Sequence, residues 1–441
     1  MPKSRQAVIL IHGVGEQRPL DTLRKFVRNI LGEKRDVRNK PDKMSTLFEL
    51  RRLQLGSKGR CQPQTDFYEY YWAHHMRDTK VRMLISWIRT LMFRWPCEIT
   101  KTLRPYYYLL WFCFVIIGWC LFIGYIKIGF GIVIGLAVGF FLDYNCLRIG
   151  YGVIDDAARY LNPTPDNVIQ RNKIREEGIK LLDALHKSRK YNRIVIVGHS
   201  LGSVIAYDLI RLYWSFVVPT ENFKTISTKF FDNWRSEAEL IFERSSSNAE
   251  RVEKFQQLQN KIWFTLRKAK YPWLIHDLIT IGSPLAHAET LLAKTPDEFE
   301  EKKKDGEYPC APPLPNQDWY YSKPVILPDG RRWNVQVPTH AVPFIAVRWT
   351  NIFFPHRKLI LGDFIGGPLQ PVLGWGIRDI KVDLINIFDK SLLSHTRYWK
   401  YAYNDKQNIS KSNLNDRKDP TTEIRKYLRL DIERGKKLPP V

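Results

Sequence analysis

The sequence has few of the features that mark secreted, stapled or repetitive proteins. It holds six cysteines. Cys61, Cys97 and Cys310 stand singly, and Cys113, Cys120 and Cys146 lie in or beside the most apolar stretch, so none shows a metal-type or disulfide-type spacing. This excludes a disulfide scaffold and fits reduced thiols in a cytosol-facing protein. No secretory signal is expected, because Met1 to Gln6 run straight into a strand-like segment. No internal repeat is present. Acidic residues are scarce: 45 Asp and Glu stand against 69 Lys and Arg, a formal net charge of +24. Such an excess draws a protein to polyanions, either nucleic acid or an anionic membrane leaflet. No nucleic-acid recognition motif accompanies it, so the membrane is the expected partner.

What is present is a globular composition, 44% hydrophobic with 14 Trp, 21 Tyr and 23 Phe, long enough for one large α/β domain with insertions. One stretch departs from it. Tyr106 to Leu142 carries a single charge before Asp143, Lys127, and is flanked by Arg94, Lys101 and Arg104 on one side and Arg148 and Arg159 on the other. A run this apolar on every side reads as a membrane segment rather than a core helix. Basic residues at both ends predict two cytoplasmic flanks, hence a helical hairpin turning near Lys127. The second arm is short for a crossing, roughly 22 Å at the helical rise per residue.

Around that stretch, apolar runs alternate with helical patterns. Ala7–Ile11, Phe67–Trp72, Arg193–Val197, Ile275–Ile281, Phe344–Phe353 and Ile377–Ile387 read as strands, and Leu47–Leu55 alternates as a further one. Leu20–Leu31, Pro165–Ser188 and Ser203–Tyr213 read as helices. The order predicts a mostly parallel sheet with helices against it. The polar, helical residues 215–270 read as an insertion over the sheet edge, and the proline-rich residues 295–340 as a long loop. The expected organisation is an N-terminal hydrolase part at 1–104, a membrane hairpin at 105–147, a C-terminal hydrolase part at 148–403 and a charged tail at 404–441.

The chemistry is carried by Gly198-His199-Ser200-Leu201-Gly202, a G-x-S-x-G pattern with a β-branched strand before it and a helix after it. A serine hydroxyl is a poor nucleophile unless a sharp turn exposes it beside a base, with N–H donors aimed at the developing oxyanion. Ser203 is a rival serine but falls inside the helix. His12-Gly13-Val14-Gly15 closes the first strand, and its backbone at Val14, with that of Leu201, is the expected oxyanion hole. In this arrangement the acid and then the base follow the serine. Of His276, His287, His340, His356 and His395, the last follows the final strand candidate and is the expected base. Asp363, in a Gly-rich loop after the preceding strand, is the expected acid, with Asp379 and Asp383 as rivals.

These pieces resemble the lipase and esterase side of the α/β-hydrolase superfamily. More narrowly, the chain is similar to bacterial hydrolases that open with a His-Gly-Val-Gly-Glu-Gln loop, here His12 to Gln17. Tyr71-Trp72-Ala73, Gly282-Ser283-Pro284, Trp349-Thr350-Asn351, Asp363 to Pro368, Ser394-His395 and Tyr398-Trp399 also match. The resemblance implies an α/β-hydrolase fold and acyl-ester hydrolysis by a Ser200, His395, Asp363 triad. It implies no metal and no organic cofactor. The expected substrate is a lipid or other acyl ester, and the expected place a membrane, the bacterial inner membrane, with the catalytic domain on its cytoplasmic face. A tethered thioesterase or amidase and a non-catalytic scaffold that kept the fold are the alternatives.

Overall fold

Continuous apolar strands can be buried on both faces only if helices cover both sides of a sheet. The computed structural model has that architecture. It describes residues 5–14, 18–32, 37–42, 51–57, 62–76, 93–126, 160–161, 165–217, 228–326, 330–356, 362–383, 392–399 and 419–430. An eight-stranded sheet runs in the order β10-β9-β6-β5-β1-β4-β3-β2. Its strands are β1 (Arg5–Ile11), β2 (Val37–Pro41), β3 (Arg51–Leu55), β4 (Gln64–Tyr70), β5 (Arg193–His199), β6 (Ile275–Ile281), β9 (Arg348–Phe353) and β10 (Arg378–Lys381). The six strands from β4 to β10 are parallel, and β3 and β2 continue the sheet antiparallel at one edge.

The helices are α1 (Asp21–Leu31), α2 (Arg104–Ile126), α3 (Pro165–Lys187), α4 (Leu201–Val217), α5 (Thr228–Arg244), α6 (Asn248–Lys268), α7 (Pro296–Lys304) and α8 (Pro420–Tyr427), with short turns besides. The period of two in β1 sorts the core into two layers. Ala7, Ile9 and Ile11 pack with Leu182, Ile205 and Trp263 of α3, α4 and α6. Val8 and Leu10 pack with Leu23 and Phe26 of α1 and Ile424 of α8.

Four expectations are corrected. Within residues 215–270, α6 is more than a polar insertion over the sheet edge: Arg378 of edge strand β10 donates to its Gln256 and Glu253, and the helix also buries Phe255, Leu258 and Trp263 in the core, while Gln259 donates to the carbonyls of Phe344 and Val347. Residues 295–340 are not one loop, because α7 and an antiparallel hairpin of β7 (Tyr320–Ile326) and β8 (Arg332–Pro338) occupy them. The charged tail contains α8, capped by Asp419, whose carboxylate accepts from Thr422 N at 3.0 Å. Its buried Ile424 and Leu428 make it part of the fold. The transmembrane hairpin is not supported: among the described residues no helix is long and apolar enough to cross a membrane. The first arm is α2, whose side chains are described only in part and none beyond Trp119, and residues 127–147 lie outside the described ones.

Helix α4 is held to α3 by a buried charge cluster. Asp208 accepts from Arg175 at 2.5 Å, from Arg211 at 2.7 Å and from the Tyr160 hydroxyl at 2.8 Å. Burial pushes its carboxyl up, but Arg211 and Arg175 outweigh burial and hold it at about 2. A carboxylate whose folded value lies below its ordinary 3.8 stabilises the fold above that pH and loses the contribution as pH falls toward 2. Asp208→Asn is expected to cost roughly 3 kcal/mol at pH 7 by leaving two arginines unpaired. Urea unfolding should show that cost shrinking between pH 4 and 2; an equal cost at both ends would mean the charge is not what matters.

Candidate active site

The register of the sheet brings the site together. In β1, Ile11 pairs with Gly198 of β5, so the loop leaving β1 lies beside the turn leaving β5. That turn holds Ser200 in the left-handed region, φ 53°, a conformation rare for a residue with a side chain. Its backbone N–H donates to Ile281 O at 3.0 Å, and Ser200 O accepts from Ser203 N at 2.9 Å as α4 begins. Backbone approach is close enough to require two glycines. A Cβ on Gly202 would collide with the carbonyls of Ile11 and His12, and one on Gly13 would meet the Ser200 Cβ at 2.8 Å.

The three expected catalytic side chains are joined. His395, on the 3-10 turn Leu392–Thr396, has Nε2 2.8 Å from Ser200 Oγ and Nδ1 2.8 Å from Asp363 Oδ2. Asp363 is fully buried in the loop after β9. Its Oδ1 accepts from Ile365 N at 2.9 Å and Gly366 N at 3.0 Å, and its Oδ2 also accepts from the Tyr398 hydroxyl at 2.7 Å. Burial raises the carboxyl, but His395 and these donors hold it at about 2, so the acid stays ionised. The two expected oxyanion donors lie on the two sides of this junction. Leu201 follows Ser200 at the first turn of α4, and Val14 follows Gly13. Gly15, Glu16 and Gln17 lie outside the described residues.

The rival residues have other partners. Ser203 Oγ donates to Ser200 O and lies 2.6 Å from Ser283 Oγ. Asp379 accepts from Asn351 and from the backbone of Leu369 and Gln370, tying down the end of the acid loop. His276 binds Asp277 and Asn260, His356 the Tyr106 hydroxyl, and His340 the carbonyl of Asp305. His287 donates to Phe364 O at 2.9 Å and so supports the acid loop.

Two residues quoted only as parts of motifs in the sequence have supporting roles here. Tyr398 donates to the triad acid while its oxygen accepts from Phe354 N at 3.1 Å. His199, the variable residue of the elbow, donates through Nε2 to the carbonyl of His395 at 3.1 Å and packs on the His395 ring. Burial holds it neutral, at about 3, so it adds no competing charge. A buried polar residue inside a motif is visible in sequence, but its partner is set by the fold.

No family model matches the chain, and no curated protein or solved structure shows significant similarity to it. The arrangement can perform nucleophilic acyl transfer, for it presents a serine, a base and a buried orienting carboxylate in one hydrogen-bonded line.

Tyr398→Phe removes one donor to Asp363 and nothing that a substrate would touch. It is expected to lower kcat about tenfold, or 1.4 kcal/mol, with KM unchanged. A change in KM alone would place Tyr398 in substrate binding instead.

Proposed function

We propose that this protein is a serine hydrolase that cleaves acyl esters of membrane-borne substrates. The observation that carries the reading is the Ser200–His395–Asp363 line of hydrogen bonds, 2.8 Å at each link, on a serine with a left-handed backbone. In the proposed reaction, Ser200 Oγ attacks the acyl carbonyl as His395 Nε2 takes its proton. The backbone N–H groups of Leu201 and Val14 hold the oxyanion of the tetrahedral intermediate. Collapse expels the alcohol, which takes the proton back from His395, and leaves the acyl group on Ser200. Water, deprotonated by His395, then releases the acid and restores the serine. Asp363 remains ionised throughout and stabilises the imidazolium.

The membrane part of the reading rests on α2. Its side chains Phe112, Phe114, Val115 and Trp119 are each about 60% exposed, an apolar surface that water disfavours. Phe93 and Trp95 are exposed just before it, among Arg94, Lys101 and Arg104. Aromatics beside basic residues suit the boundary of an anionic leaflet. The helix is rooted at the acid loop: the Tyr106 hydroxyl lies 2.6 Å from His356 Nε2, and the Tyr106 ring lies 5.2 Å from Phe364, the neighbour of Asp363. A cleft of about 670 Å³ opens there, bordered by Lys101, Arg104, His287, His356 and Gly366. Attachment through α2 would hold this side of the catalytic domain against the bilayer.

A fluorophosphonate probe is expected to label the wild type and Ser203→Ala but not Ser200→Ala. Asp363→Asn should lower turnover on the order of 10⁴-fold, the loss known for the same change in another triad enzyme. Labelling that survives in Ser200→Ala would sink the hydrolase reading.

The membrane reading has its own measurement. Phe112→Asp with Phe114→Asp should lower co-sedimentation with anionic vesicles and hydrolysis of a long-chain ester held in them, while a short soluble ester is cleaved as before. Equal loss on both substrates would mean damage to the fold. Loss on neither would indicate a hydrolase of soluble substrates, such as a tethered thioesterase.

A further inference from the structure

Behind the oxyanion loop lies a group of side chains that the hydrolytic reaction does not use. His74 and His75 sit on the 3-10 turn Ala73–Met76 that follows β4, and Glu177 faces them from the middle of α3. Glu177 Oε2 is 2.7 Å from His75 Nε2 and 3.6 Å from His74 Nε2. The two imidazole rings lie 3.9 Å apart, centre to centre. One nitrogen of each ring and one carboxylate oxygen fall within 4.8 Å of one another. The three side chains are mostly buried, yet Glu177 keeps 27% exposure, which leaves a path to solvent.

We propose that His74, His75 and Glu177 bind a Zn²⁺-type transition metal ion, which clips the turn after β4 to α3. The geometry favours it over a hydrogen-bonded trio. One carboxylate oxygen serves two imidazoles, and at 3.6 Å the second is too far for a hydrogen bond. Tetrahedral coordination at about 2.0–2.1 Å per bond places donor atoms about 3.3 Å apart, between the two Glu177–imidazole separations, and the two imidazole nitrogens lie within 4.8 Å, so side-chain rotations complete the site. The donor set selects the ion. Two imidazoles with one carboxylate suit zinc and its neighbours, whereas calcium and magnesium prefer all-oxygen shells. Water from the solvent side takes the fourth position.

The clip would steady the catalytic loop. Tyr71 stacks on the His74 ring at 5.7 Å and lies 5.4 Å from His12, the first residue of the oxyanion loop. Trp72 donates from Nε1 to His12 O at 2.9 Å and stacks on the His12 ring at 5.3 Å. An ion bound two residues further along therefore fixes the segment against which the His12–Val14 backbone rests.

The test is a calorimetric titration of Zn²⁺ into full-length protein that carries no histidine tag and has been stripped with a chelator. One equivalent should bind to the wild type and raise its Tm. His75→Ala and Glu177→Gln should each weaken binding by at least about tenfold, the loss that removal of an outer-shell partner alone can cause, and should abolish the rise in Tm. Glu177→Gln keeps the shape of the side chain, so it serves even if His75→Ala unfolds. X-ray absorption at the zinc edge should report nitrogen and oxygen neighbours only. Absence of binding by the wild type, binding unchanged in both variants, or a sulfur neighbour, which would put the ion on a cysteine such as the exposed Cys97, overturns the proposal. None of these outcomes bears on fluorophosphonate labelling of Ser200.

Discussion

The structure depends on a close contact between two stretches of backbone: the end of β1 lies against the turn that carries Ser200. Gly202 has no room for a Cβ because the Ile11 and His12 carbonyls occupy that space, and Gly13 sits against the Ser200 side chain. Such a contact is possible only if β1 and β5 are adjacent, parallel and in register from Gln6–Arg193 to Ile11–Gly198. Two parallel neighbours need a long crossover, and here everything from α1 to α3, including α2, lies between them in sequence. The strain of a left-handed serine is tolerable because this packing over-determines it. The same proximity puts the backbone of Leu201 and the β1 loop on one side of the nucleophile and leaves the other side to His395.

That constraint explains which parts of the fold were legible in sequence. Strand–turn–helix signals around Ser200 and the order serine, acid, base were enough to single out Ser200, Asp363 and His395, because each follows the carboxyl end of a parallel strand. Continuous apolar runs likewise identified β1 at Ala7–Ile11, β5 at Ile194–Val197 and β6 around Leu278, Ile279 and Ile281. It failed where burial is decided by a partner distant in sequence. Helix α6 is rich in Glu, Lys, Arg and Gln, yet it belongs to the core because Gln256 and Gln259 satisfy carbonyls at Trp349, Phe344 and Val347. Strand β2 shows no alternation, for as an edge strand it buries little. The His74, His75 and Glu177 group was invisible because Glu177 arrives from another element.

A division of labour between the two ends of the parallel strands completes the picture. The proposed catalytic residues follow the carboxyl ends of the parallel strands. The opposite ends carry a buried ionic network whose partners are all internal. Asp277 accepts from Arg193 at 3.0 Å and from Arg348 at 2.6 Å, and Arg193 also donates to Gln6 Oε1 at 2.7 Å. Burial opposes the charge on Asp277, but the two guanidinium groups hold its carboxyl well below the usual range. A buried pair of this kind contributes little net stability over an apolar replacement, though breaking it is costly. Its value here is in fixing the relative positions of β5, β6 and β9, which carry Ser200, the Gly282 turn and the approach to Asp363.

The network also accounts for α8 in a chain segment that composition marks as a loose tail. Arg193 donates to Tyr427 O at 3.1 Å, and Gln6 donates to Leu428 O at 2.8 Å. Arg425 is fully buried and donates to Ile30 O at the end of α1. Without α8 the arginine and glutamine at the bottom of β5 and β1 would lose these carbonyl acceptors, and Ile424 and Leu428 would leave the layer formed with α1. Buried donors need acceptors more strictly than apolar groups need particular neighbours. Helix α8 is therefore held by the hydrogen-bonding demand of β1 and β5, the two strands whose opposite ends carry the proposed nucleophile and oxyanion loop.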